Sequence, residues 1–128
     1  MIRKTQFGDY EKTITIPVFA KYRIQIVFAE ELKGAWKARY NSKVKIGDDC
    51  RAFHQSWNDG TSRLFFTIDD CTTGTVAHEC FHAVWALMDF VGIGFKEEEL
   101  ITYLLDYVVQ AVQDFKNTLG IKSRKKKR

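Results

Sequence analysis

The sequence predicts an α+β domain in which a small, mainly antiparallel sheet is followed by two long helices. Three observations carry this expectation. Apolar and polar residues alternate in two runs near the start, an Asn-Asp-Gly turn joins two further strand-like runs, and the last half holds two windows with apolar residues at helical spacing. Strands first and main helices last put the helices on one face of the sheet. With 128 residues, 45% of them hydrophobic, the chain has room for one core and is short for two. It has no Gly/Ser-rich linker and no internal repeat, so residues 1–121 read as one domain followed by a tail, 122–128.

The elements follow in order. Ile14, Ile16 and Val18, then Tyr22, Ile24, Ile26 and Phe28, alternate with polar residues on either side of Pro17 and Lys21, the period of neighbouring half-buried strands. From Glu30 to about Tyr40, helix formers carry Leu32, Ala35, Trp36 and Tyr40 at helical spacing, interrupted by Gly34. The runs Cys50 to Trp57 and Ser62 to Ile68 flank Asn58, Asp59 and Gly60, a hairpin signal. Turn and capping residues from Asp69 to Gly74 then open a helix at about Thr73 or Thr75 that runs to Phe90, where Gly92 and Gly94 stop it. Lys96 opens the last helix, reaching about Thr118, with Leu100, Leu104, Tyr107, Ala111 and Phe115 on one stripe and Ile101, Leu105, Val108 and Val112 beside it.

Charge divides the chain in two. The formal net charge is +4, but Lys122, Arg124, Lys125, Lys126, Lys127 and Arg128 supply +6 of it, leaving −2 for residues 1–121. Six cations in seven residues repel and bury nothing, so the tail is expected to be disordered, either a solubilising segment or a weak contact with nucleic acid or another polyanion. No stretch has the apolar length of a membrane span, and the start lacks the apolar core of a secretion signal. Cys50, Cys71 and Cys80 are odd in number and have no CxxC spacing, which points to free thiols in a reducing cytoplasm.

Chemistry concentrates in the first long helical window. His78 and His82 stand four apart, so on a helix their rings project from one face about a turn from each other and can meet one metal ion. Glu79 lies between them, completing an HExxH pattern. In that pattern the imidazoles bind zinc and the glutamate takes a proton from the metal's water. A catalytic zinc site wants a third protein ligand, and Glu97, Glu98 and Glu99 open the next helix, which a helical hairpin would bring back toward the histidines. Periodicity leaves the choice open: Glu98 shares a stripe with Thr102, Leu105 and Val109, Glu99 one with Tyr103, Asp106 and Gln110. His54 offers a different third ligand, giving a three-histidine site, unless it is an ordinary surface residue of the hairpin. Cys71 precedes the helix and is a further, remoter donor. For steadying an oxyanion the candidates are Tyr103, His54 and Arg63.

The segments TVAHECFHAV, GIGF and EELITYLLDYV, with SRLFFTID before them, resemble the small zincin-like HExxH metallopeptidases of bacteriophages and prophages that use a glutamate as third ligand. The resemblance spans about residues 62–110. It implies a zincin-like fold, His78, His82 and Glu99 as zinc ligands, Glu79 as catalytic base, and Tyr103 at the site, four after Glu99. It also implies that Ser62 to Ile68 is the edge strand on which an extended peptide substrate would lie. Two departures narrow the type. Only 16 residues separate His82 from Glu99, and Trp85 and Met88 stand where a metzincin needs its glycine and third histidine, which excludes that subclass.

Three functions follow as expectations: a zinc peptidase acting on a protein or peptide in a bacterial cytoplasm, a zincin-like protein that binds a partner without catalysis, and a nucleic-acid accessory acting through the basic tail. Trp36, Trp57 and Trp85 read as core and hairpin packing, and Cys80, facing away from the histidines, as a small buried apolar residue.

Overall fold

The computed structural model describes all residues except 1, 2, 7, 17, 18, 20, 21, 41–43, 70, 95 and 122–128. The basic tail, with its expected disorder, and Val18 lie outside the described residues. The elements are β1 (Arg3–Lys4), β2 (Tyr10–Thr15), β3 (Arg23–Ala29), α1 (Leu32–Arg39), β4 (Ala52–Ser56), β5 (Ser62–Thr67), α2 (Thr73–Val91) and α3 (Glu98–Thr118). The class is α+β. The five strands lie in the order β1-β2-β3-β5-β4. Pairing is antiparallel except between β3 and β5, because the chain leaves β3 through α1 and β4 before β5 returns beside it. No helix among the described residues is long and apolar enough to cross a membrane.

Strand alternation sorts the core into two layers. Ile24, Ile26 and Phe28 of β3, with Leu64 and Phe66 of β5, pack against α2 and α3. Val27 and Ala29, with Phe65, face the other way onto α1, where Trp36 closes the layer. Thus α2 and α3 cover one face as expected, while α1 covers the other. Around Trp36 the rings of Phe65 (5.5 Å), Phe53 (5.4 Å) and Trp57 (6.4 Å) form a tight aromatic group. A buried ion pair ties α1 to β2: Arg39 donates to both carboxylate oxygens of Asp9, one bond at 2.6 Å, and to Glu11 at 3.0 Å.

Two expectations are corrected here. Ser62 to Ile68 is not the sheet edge, because β5 lies between β3 and β4. Leu64, Phe65 and Phe66 are all fully buried, the continuous apolar run of a strand covered on both faces, whereas β4 is half-buried from Ala52 to Gln55 and exposed at Ser56, as an edge strand is. Trp85 is not core: it is 47% exposed, on the outer face of α2 with Phe81, their rings 5.8 Å apart.

The ends of α2 are set by local chemistry. The Thr72 hydroxyl accepts from the Thr75 amide at 3.1 Å as N-cap, and Gly92, at φ +75°, takes the left-handed conformation that ends the helix. Lys116 of α3, buried, donates to the Cys71 carbonyl at 2.6 Å just ahead of that N-cap, fixing where α2 begins relative to α3.

Candidate metal centre

α2 presents an arc of exposed residues, Phe81, Trp85, His78, Asp89 and His82, opposite the buried stripe of Val76, Cys80, Ala83 and Leu87. His78 and His82 sit within this arc, and Glu79 lies at its border, 9% exposed, where α2 meets the sheet. One ligand atom from each of the three lies within 4.8 Å of the others. His78 Nε2 and His82 Nε2 are 3.2 Å apart, and Glu79 Oε1 is 3.9 Å from His78 Nε2.

That separation is a test of fit. Two nitrogens on one zinc at ~2.0–2.1 Å with tetrahedral angles stand about 3.3 Å apart, close to the 3.2 Å found. Two imidazoles from one helix therefore suit zinc without rearrangement of the backbone.

Beside the histidines runs an open cleft lined by Asp49, Arg51 and Ala52 from the start of β4 and the loop before it, and by Thr72, Gly74, Thr75, His78 and Glu79 from the entrance to α2. No α3 residue is among these. Burial pushes the Glu79 carboxyl above its ordinary range, against the opposing pull of His78 and His82. Burial likewise raises the thiol of half-buried Cys50, with Glu79 adding to the effect.

The edge strand brings a third imidazole. His54, at the centre of β4, lies across from Leu64 and so shares the sheet face that α2 covers. Its ring is nearly parallel to that of His82, centroids 6.2 Å apart, and its Nε2 is 3.1 Å from the Oγ of buried Ser62. Burial, with His82 adding to it, lowers the His54 imidazole to about 4.

The remaining residues singled out from the sequence stand elsewhere. Glu99 and Glu98 are exposed in the first turn of α3 and neither is a member of the His78, Glu79, His82 group. Acidic side chains there favour the positive end of the helix dipole, which accounts for the glutamate run without a metal. Tyr103, one turn beyond Glu99, is 54% exposed. Arg63 belongs to the opposite sheet face, its guanidinium over the rings of both Tyr40 (4.9 Å) and Trp57 (4.5 Å) and its Nε donating to the Tyr40 hydroxyl at 2.7 Å. Cys71 and Cys80 are fully buried and in no disulfide, and burial carries the Cys80 thiol up to about 12. Sequence reasoning missed Ser62 altogether. Its signal was a small polar residue on the same strand face as Leu64 and Phe66, two places before the residue opposite His54.

Scanned against protein-family models, and searched against curated proteins and solved structures, the chain finds no match.

Proposed function

We propose that this chain is a zinc-dependent, zincin-like hydrolase of peptide bonds, with His78 and His82 as metal ligands and Glu79 as the catalytic base. The observation that carries the reading is the His78–His82 nitrogen pair at zinc-ligand spacing with the buried Glu79 carboxylate beside it, at a cleft along a sheet edge that His78 and Glu79 line. When bound, zinc supplies Lewis acidity toward water and toward the scissile carbonyl. The rest is the work of the chain. The Glu79 carboxylate, held above its ordinary range by burial, is suited to take a proton from the attacking water and deliver it to the leaving amine nitrogen. The exposed edge of β4 offers unpaired backbone groups on which an extended peptide can lie beside the cleft, giving a protein or peptide substrate. The phage-type family resemblance and the free cysteines support a cytoplasmic setting.

The test is Glu79→Gln. It keeps the side chain's shape and should leave zinc content unchanged while hydrolysis of an unstructured protein substrate falls by a factor of about 10²–10⁴. Hydrolysis at the wild-type rate by the zinc-loaded variant would remove the reading.

A further inference from the structure

We infer that the third protein ligand of the metal is His54 from the edge strand β4, making a three-histidine centre that bridges α2 and the sheet. This rests on the zinc reading above and changes which element completes the site.

A helix supplies two ligands from one face, and the third must come from an element packed beside that face. Around α2 the exposed arc ends at His82 and Glu79 on one side and at Phe81 and Met88 on the other, and the first side is the one that meets β4, since the His82 ring lies against His54 and Glu79 shares the cleft with Ala52. His54 meets His82 on the β4 side, with ring centroids 6.2 Å apart beside the 4.8 Å of His78 and His82. The cleft beside His78 and Glu79 takes Ala52 from the start of β4 and Asp49 and Arg51 from the loop before it, which shows that β4 flanks this side of α2, although His54 and His82 do not line it. His54, Glu98 and Glu99 all stand outside the His78, Glu79, His82 group, but the two glutamates are exposed in the first turn of α3 whereas His54 is half-buried with its ring against that of His82.

A metal-ligating histidine characteristically gives its other ring N–H to a neighbouring acceptor, which fixes both tautomer and ring orientation. His54 has this arrangement ready: Nε2 stands 3.1 Å from Ser62 Oγ, and Ser62 is 4% exposed, so few other groups compete for that hydroxyl. With Nε2–H donating to Ser62, the free lone pair is on Nδ1, the atom left to ligate. Completing the site asks the edge strand to close its ring separation from 6.2 Å toward the 4.8 Å of the helical pair. An edge strand, hydrogen-bonded along one side alone, is the element best able to make that movement.

The experiment is zinc affinity by competition with a chromophoric chelator, on metal-stripped full-length protein and the variants His54→Ala, Ser62→Ala, Glu98→Ala, Glu99→Ala and His78→Ala. Circular dichroism of the stripped proteins checks that each is folded. His54→Ala should lose more than ~100-fold in affinity, beyond the 10–100-fold typical of an outer-shell partner, and Ser62→Ala should fall within that 10–100-fold range. Glu98→Ala and Glu99→Ala should bind as wild type does, and both are exposed positions that keep the test readable if a β4 variant misfolds. A loss of 100-fold or less in folded His54→Ala, or a loss in Glu98→Ala or Glu99→Ala as large as in His78→Ala, overturns the inference while leaving zinc binding by α2 intact. Failure of the wild type to hold zinc, or undiminished binding by His78→Ala, overturns the proposed function itself.

Discussion

Replacing Gly60 by alanine should destabilise the domain by about 2–5 kcal/mol, the sum of ~1–2 kcal/mol for a side chain in left-handed backbone and ~1–3 kcal/mol for overpacking. Gly60 closes the turn between β4 and β5 at φ +87°. A Cβ built there would lie 2.4 Å from two ring carbons of Tyr22 and 2.9 Å from one of Phe90. The rings of Tyr22 and Phe90 meet edge-on, 5.2 Å apart. Tyr22 is buried and has nowhere to go; Phe90, partly exposed near the end of α2, can swing out only by giving up that contact. Gly92 is the internal control, because at φ +75° it has the same backbone demand and nothing within 4 Å of an added Cβ. Gly92→Ala should therefore show the conformational part alone, and the difference between the two variants, ~1–3 kcal/mol, isolates the packing part. Urea unfolding at one temperature measures both, provided the slopes agree with wild type, so that midpoints report stability rather than a changed unfolded state. Equal losses in the two variants would refute the close packing of the hairpin against α2. The contact bears on the site because this hairpin positions β4, and with it His54, against the helix that carries His78 and His82.

Two further outcomes follow from buried groups. Asp9→Ala should cost ~3 kcal/mol at neutral pH, because it leaves the buried Arg39 with Glu11 as its remaining carboxylate partner. In the wild type, burial pushes the Asp9 carboxyl up, but the bonds from Arg39 and Thr5 outweigh it and hold the group below its ordinary 3.8. Its contribution is thus fully present above about pH 4 and lost as the pH falls through the lowered folded value. Denaturation curves at neutral pH and at pH 2–3 should accordingly show the gap between wild type and Asp9→Ala narrowing in acid, and a gap that widens there would contradict the pairing. Among the thiols, burial carries Cys80 to about 12 and raises Cys50, so a thiolate-selective reagent at pH 8 should label native Cys50 slowly and leave Cys80, and fully buried Cys71, to react only on unfolding. Peptide mapping by mass spectrometry reads this directly, and rapid labelling of native Cys80 would contradict its burial.

What the sequence made legible is what neighbouring residues decide among themselves. The alternation of Ile24, Ile26 and Phe28, the Asn58-Asp59-Gly60 turn, the capping residues between Asp69 and Gly74 and the Gly92 stop are short-range signals, and each lies where the structure has the corresponding element. The pairing of His78 with His82 is of the same kind, since helical geometry alone brings residues four apart to one face. The parallel pairing of β3 with β5 joins segments separated by a whole helix and a strand, and no local pattern encodes it. The placement of β5 inside the sheet was half-encoded: three consecutive buried apolar residues, Leu64 to Phe66, mark a strand covered on both faces. The same reasoning reaches His54. Counting back from the turn pairs Ser56 with Ser62 and His54 with Leu64, and a residue opposite a core leucine must share its face. That face is the one a following helix covers, so a histidine there is directed toward the helix. The step that no count supplies is which neighbour of α2 stands nearer its histidines, β4 or α3, because sequence distance from His82 to Glu99 is short while the spatial route is set by packing of the whole sheet. Chain proximity points to the glutamates, and it is the contact of the His54 and His82 rings that sets the proposed strand ligand against them.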